Sequence, residues 1–158
     1  MKPISTEIQY SVVSTSQGPM FAAHTEKGLC FLSFASEAEG LTELKKEFPK
    51  GTFKQTNLDL SRLEKMNLDL QGTPFQRKVW NALLKIPSGK TTTYGAIASE
   101  IGHPKAVRAV GTAVGANPIC MYVPCHRVLP STGKVGNYRW GSARKIQLLK
   151  DEGAAFKV

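Results

Sequence analysis

Residues 72–86, GTPFQRKVWNALLKI, carry the local signals of a helix at both their start and their interior. Thr73 offers an N-cap hydroxyl, Pro74 has the backbone angle suited to the first helical position, and Gln76 completes a capping box. Phe75, Val79, Trp80, Leu83 and Leu84 then recur at helical spacing, which predicts one buried stripe.

Downstream, after the turn IPSGK, Thr93 can cap a short helix, YGAIASEI, that stops at Gly102. Pro104 opens another, KAVRAVGTAVG, spanning 105–115. A connection of about three residues between two helices predicts a helix-turn-helix. The second helix is thin: Ala106, Ala109, Gly111, Ala113 and Gly115 leave it few side chains, although each glycine costs about 1 kcal/mol of helix propensity. Close packing against a neighbouring helix explains thinness in one way. Insertion into a nucleic-acid groove explains it in another, with Arg108 as a lone long side chain; a minor groove is only about 6 Å wide.

The stretch LPSTGKVGNYRWGS, 129–142, predicts a loop or short hairpin able to form a wing or one wall of a pocket. Ser142 then caps ARKIQLLKDE, with Ile146 and Leu149 facing inward and Gly153 ending the helix. Glu152 falls at its C-terminal end, where the helix dipole disfavours a carboxylate, so an imidazolium partner is expected.

The half upstream of the opening stretch differs. TEIQYSVV, GPMFAAHT and GLCFLSFA are short β-prone segments separated by glycine-bearing turns, which predicts an antiparallel meander. SEAEGLTELKKEF places Leu41, Leu44 and Phe48 at helical spacing and ends at Pro49 and Gly51. Two domains are expected: an α/β support domain over 1–70 and a mainly helical winged helix-turn-helix domain over 71–158, an α+β protein in all.

With 158 residues the chain can bury roughly two-thirds of its unfolded surface, enough for a core without staples. Three cysteines, Cys30, Cys120 and Cys125, form neither a disulfide framework nor a metal knuckle. His24 and Cys30 read as packing residues, and no metal is expected. The first residues lack the apolar core of a signal peptide and no run is long enough to span a bilayer, so an intracellular, cytoplasmic protein without a membrane partner is expected. Charge is divided unevenly. Residues 1–70 hold 8 Lys and Arg against 9 Asp and Glu, a net of −1; residues 71–158 hold 13 against 3, a net of +10. A polyanion partner for the second half follows.

Cys125 sits in VPCHRV, directly before His126. A free thiol is only about 3% thiolate at neutral pH, so a nucleophilic role needs a base or a positive environment. Adjacent residues of an extended segment point to opposite faces, which favours a relay from thiol to imidazole through water, with Glu152 orienting the ring. An inert buried cysteine, a helix-turn-helix binder without chemistry and a Cys-His hydrolase are the other readings of the residues alone.

NPICMYVPCHRV, with upstream TTTYGAIA and RAVGTAVGANP and downstream GNYRWGSARKIQLLKDEG, closely resembles the O6-alkylguanine-DNA alkyltransferases, the methylated-DNA–protein-cysteine methyltransferases, and its bacterial members most. The motif-bearing resemblance covers roughly residues 72–156; the first 70 match in general character and order of elements, and the family has a small ribonuclease-H-like domain there. The resemblance implies single-turnover DNA repair with no cofactor: Cys125 accepts the alkyl group from guanine O6, and O4 of alkylated thymine is a further candidate donor. By the same resemblance His126 takes the thiol proton through water, Glu152 orients the imidazole, and Asn117 ties the turns of the site together. Tyr94 donates to guanine N3, the carbonyls of Cys125 and Val128 read the exocyclic amine, the backbone N–H of Arg139 faces O6, and Tyr138 forms a pocket wall. Arg108 fills the gap left by a flipped nucleotide while the thin helix, with Lys105, Ala109 and Gly111, lies in the minor groove of a duplex bound by a protein that is monomeric when free. Two departures bear on pocket size: Cys120 stands where some members have a pocket-wall proline, and Arg139 where others have a small residue. No separate cysteine-rich regulatory domain is seen, so a methyl-sensing transcription activator is not expected.

Overall fold

Three β-prone segments separated by tight turns can bury one face only by pairing with one another, and they do. In the computed structural model, which describes residues 7–158, β1 (Glu7–Thr15), β2 (Gly18–Thr25) and β3 (Gly28–Ser33) form the expected antiparallel meander. Thr6, at the head of the first expected strand, lies outside the described residues. A fourth strand, β4 (Thr52–Gln55), was not expected: it lies parallel to β1 after the crossover helix α1 (Glu37–Glu47), giving the order β3-β2-β1-β4. Ser36 and Glu39 close a capping box on α1, and Leu44 and Phe48 bury against the sheet with Ile8, Phe21, Ala23, Cys30 and Phe31. Gly40 permits this approach, since a Cβ there would strike the Phe21 ring. Burying a phenylalanine such as Phe21 contributes roughly 1.5–3 kcal/mol. A short helix, α2 (Leu60–Lys65), follows.

This first unit ends at Gly72 and also takes in Pro118–Cys120. Leu32 donates to the carbonyl of Pro118 at 2.9 Å, and Cys120 donates back to Leu32 at 3.0 Å, so the segment extends the sheet beyond β3. Every residue of β3 is buried.

The second unit holds Thr73–Asn117 and Met121–Val158. Its first helix, α3 (Pro74–Leu83), begins as expected, with Thr73 and Gln76 forming the reciprocal capping box. Val79, Trp80 and Leu83 are buried, Phe75 is half-buried against His103, and Leu84 is exposed, against expectation. Leu84 is the C-cap, beyond the last residue of the helix, and the chain after it tightens, with Lys85 and Ile86 donating three residues back.

Thr93 caps α4 (Tyr94–Glu100) as expected. The next helix, α5 (Val107–Gly115), starts later than Pro104 or Lys105, and its N-cap Ala106 has no side-chain bond. Pro104 occupies the second position of a turn closed by Ala106 donating to His103, where its fixed angle is favoured. The α4–α5 connection is therefore longer than a three-residue turn. Trp80 Nε1 donates to the Ala113 carbonyl at 2.9 Å, fixing α3 against α5. Last comes α6 (Ser142–Asp151), whose N-cap is Gly141 without a side-chain bond; Ser142 is its first helical residue, not its cap. Its buried face is Lys145, Leu148 and Leu149, with Ile146 half-buried. Two short parallel strands, β5 (Thr92–Thr93) and β6 (Val128–Leu129), complete the unit. No hairpin forms over 129–142: Val135 donates to Lys157, and Lys157 donates back to Gly133, so the backbone partner comes from the chain's last residues.

Candidate active site

Pro124 leads into a 3-10 turn, Cys125–Arg127, and this changes the expected orientation of the motif. In an extended segment neighbours face opposite ways, whereas a 3-10 turn sets them about 120° apart. Cys125 lines a cavity of about 650 Å³, while His126 and Arg127 both reach Glu152. The cavity also brings together Tyr94, Arg108, Gly111, Tyr138 and Arg139, residues from α4, α5 and the loop before α6.

Behind the thiol, His126 is 1% exposed, and its Nε2 lies 3.0 Å from Glu152 Oε2. Burial raises the Glu152 carboxyl, but bonds from Arg127 and His126 outweigh burial and hold it below the usual carboxylate range. An ionised carboxylate only accepts, so Nε2 carries the proton and a neutral ring presents Nδ1 as an acceptor. Among the described residues, Nδ1 is buried without a hydrogen-bond partner. Glu152 is the C-cap of α6, and the cation that compensates its unfavourable dipole position is the Arg127 guanidinium, not the imidazolium expected: His126 is a neutral donor to the same carboxylate.

Cys125 is 4% exposed, and burial pushes its thiol up to about 11. A bond from Asn117 and the charges of Lys145 and Arg139 act in the opposite direction. The resting group is a thiol, and nucleophilic attack requires its proton to leave at the moment of reaction. Asn117, fully buried, also donates from Nδ2 to the Val123 carbonyl at 2.8 Å, joining the end of α5 to the segment entering the Cys125 turn. Between them Met121 holds a left-handed φ of 68°, a conformation disfavoured for a residue with a side chain.

Tyr94 is the first residue of α4, and burial, followed by the nearby Cys125, raises its hydroxyl so that it stays protonated. Arg139 donates to the Asn117 carbonyl at 2.9 Å and stacks over Trp140 at 5.3 Å. Lys105 and Ala109 do not line the Cys125 cavity; with Arg108 and Thr112, which line both, they border a second groove of about 660 Å³ between α5 and the start of α3. Val128 is buried in β6, its N–H donating to Cys125 and its carbonyl accepting from Lys145 at 2.8 Å. Val128 is not among the residues that line the Cys125 cavity. Cys120, expected in the pocket wall, belongs to the first unit.

Two residues escaped the sequence reading. Lys145 is fully buried, and its Nζ bonds the Val128 and Asn137 carbonyls; burial lowers its ammonium to about 8. A signal existed, since Lys145, Leu148, Leu149 and Glu152 share one helical stripe. Arg127 forks onto Glu152 and carried no signal beyond its place next to His126.

The second unit thus sets a buried cysteine on a cavity, with an imidazole-carboxylate pair behind it. Residues 74–154 match the family described as 6-O-methylguanine DNA methyltransferase, DNA binding domain. The chain is 39% identical to the methylated-DNA–protein-cysteine methyltransferase of Methanosarcina acetivorans, over 92% of this chain and 98% of that protein. It is 37% identical to the regulatory protein ada of Salmonella typhimurium over 94% of this chain, and spans 46% of that protein's length. The chain thus covers about half the length of the regulatory relatives it matches. A crystal structure of Mycobacterium tuberculosis O6-methylguanine methyltransferase superimposes with a TM-score of 0.77 at 34% identity, covering 92% of this chain and 93% of that one. The same organism's protein in complex with DNA gives 0.74 at 33% identity, covering 93% and 92%. The chain belongs to the 6-O-methylguanine DNA methyltransferase family.

Proposed function

We propose that this protein repairs duplex DNA by moving a methyl or other alkyl group from O6 of guanine, and from O4 of thymine, to its own Cys125, once per molecule. The observation that carries the reading is the placement of Cys125 on a cavity with Tyr94 and Arg108 while the His126–Glu152 pair stands behind it. A base edge inside a duplex cannot reach a thiol that is 4% exposed, so the nucleotide must leave the stack, at a cost of a few kcal/mol. Arg108, exposed on α5 at the cavity rim, fills the gap.

The glycines of α5 support groove insertion over close packing. A Cβ on Gly115 would meet nothing within 4 Å, and one on Gly111 only the edge of Tyr94 at an ordinary 3.8 Å. Neighbouring helices do not require these two residues to be glycine, so thinness serves something outside the molecule. Lys105 and Ala109 border the second groove and face the minor groove and its phosphates, making binding salt-dependent. The finer architecture follows: the first unit is read as ribonuclease-H-like, from its meander with a parallel fourth strand after a helical crossover, and the second as a winged helix-turn-helix, with α4 and α5 as the pair and 129–142 as the wing. The protein acts as a monomer, in the cytoplasm with the DNA, and without a cofactor or metal.

In the reaction, Cys125 Sγ attacks the alkyl carbon in line as the carbon–O6 bond breaks and its electron pair passes to the base. The thiol proton moves through a bound water to His126 Nδ1, the acceptor left when Glu152 holds Nε2. Tyr94, kept protonated, donates to N3 of the departing guanine. The carbonyls of Cys125 and Val128 read the exocyclic amine, the backbone N–H of Arg139 faces O6, Tyr138 walls the pocket, and Asn117 fixes the turn. The product, an S-alkylcysteine thioether, has no leaving group for a second nucleophile here, so the protein is consumed.

Incubation with duplex DNA carrying one O6-methylguanine, followed by mass measurement, is expected to add one methyl group, on Cys125, and restore guanine. Turnover beyond one equivalent defeats the stoichiometric mechanism, and lesion binding without transfer identifies a reader without chemistry. Cys125→Ser should abolish transfer and keep DNA binding.

A further inference from the structure

Arg127 takes no part in the transfer just described, yet it makes the most elaborate polar contact behind the thiol. Its Nε donates to Glu152 Oε1 at 3.0 Å, one terminal nitrogen donates to Oε2 at 2.7 Å, and the other donates to the Ile86 carbonyl at 2.6 Å. Arg127 and Glu152 are 14% and 16% exposed, so the fork works largely out of water. Oε2 is shared: it receives both the guanidinium and His126 Nε2.

That sharing has an electrostatic consequence. A carboxylate bonded to a buried imidazole alone favours the imidazolium, because the charged pair is stabilised at short range. An imidazolium already holds the proton that a general base must accept. With the guanidinium forked onto it, Glu152 is neutralised while its oxygens stay fixed in place, and the balanced state of the cluster is a neutral ring. Protonating His126 would then leave an unpaired positive charge close to the buried ammonium of Lys145.

We propose that Arg127 is a positioning residue which neutralises and clamps Glu152, so that His126 stays the neutral imidazole able to receive the Cys125 proton. The charged groups acting on the ring are Glu152 and Lys145 from α6 and Arg127 from its own turn, where the Cys125 thiol precedes it; the buried face of α3, packed against that turn, has none. Burial lowers the His126 pKa, Glu152 raises it, and Arg127 and Lys145 lower it, the directions the geometry requires. The anchor on Ile86 holds the guanidinium at the end of α3 and limits its freedom to follow a rotated carboxylate.

The consequence for rate rests on the alkyl-transfer reading, but the protonation of the ring does not, and the experiment separates them. Arg127→Met removes the charge at similar length, and Arg127→Lys keeps the charge without the fork; Arg127→Gln replaces the Met variant if that one does not fold. The His126 resonance, one of only three histidines, is titrated by NMR in DNA-free protein, and single-turnover methyl transfer is followed against pH. In Arg127→Met the His126 midpoint and the acid limb of the rate profile should both move up by about one pH unit or more. In Arg127→Lys the midpoint should stay within roughly 0.3 unit of wild type while the rate falls at every pH. A uniform loss of rate in Arg127→Met with an unmoved midpoint overturns the proposal and leaves Arg127 a structural clamp; a downward midpoint overturns it as well. If wild type transfers no methyl group, the repair reading fails, and the NMR midpoints still decide the role of Arg127.

Discussion

The ammonium of Lys145 donates to the Val128 carbonyl at 2.8 Å from a side chain with no exposed surface. A lysine so placed stabilises the strand that follows Cys125 and supplies positive charge near the thiol, at the cost of its own desolvation. Its folded pKa, about 8, lies below the usual lysine value, so between the two the unfolded chain binds more protons and stability rises with pH. Compared with Lys145→Met, wild type should gain up to about 1 kcal/mol per pH unit as pH rises from about 8 to 10. Denaturant unfolding of both proteins across that range checks the sign, since the buried thiols contribute similarly to each and largely cancel in the difference.

Removing the Glu152 charge tests the other end of the network. Its folded carboxyl is held below the usual range, so its contribution is full above the unfolded value and is lost as pH falls through the folded one. Wild type should therefore lose stability relative to Glu152→Gln as pH drops below about 4. Methyl transfer at neutral pH should fall about 100-fold in the variant, because the amide neither fixes the ring nor stabilises its protonated form. Acid unfolding curves and single-turnover rates measure the two effects separately.

The glycines of α5 separate stability from DNA binding. Gly111→Ala adds a Cβ with room to spare beside Tyr94, so the free protein should gain about 1 kcal/mol of helix stability. Duplex affinity should fall in the same variant, because the added methyl enters the groove. A higher melting temperature with weaker binding in a gel-shift titration is the expected pair of results. Unchanged binding would show that the thin face does not meet DNA.

Trp80 bonds a carbonyl near the end of the helix whose outer face is proposed to meet DNA. Trp80→Phe keeps most of the apolar volume and deletes the indole donor to Ala113, so a loss of about 1–3 kcal/mol is expected. Hydrogen exchange should speed up in α5 more than in α6 if the bond fixes α5 rather than supporting the unit as a whole.

What the sequence determined by itself was set by short-range chemistry. Thr73 and Gln76, Thr93, and the stripe through Val79, Trp80 and Leu83 could be read because caps and helical faces are satisfied within a few residues. The position of Glu152 at the end of α6 was readable too, as a charge placed against the dipole and in need of a cation. The misreadings were also local in origin: the turn at His103–Ala106 delays α5, Gly141 displaces Ser142 as cap, and α3 ends at Leu83, leaving Leu84 as an exposed C-cap. Tertiary structure alone decided the rest. The parallel partner of β1, the Pro118–Cys120 segment bridged to Leu32, the Lys157 backbone that replaces a hairpin, and the joining of Ile86, Arg127 and Glu152 all depend on groups distant along the chain. Burial makes such bonds obligatory, because an unpaired polar group away from water is costly, but which distant partner supplies each bond is settled only when the packed elements fix who is within reach.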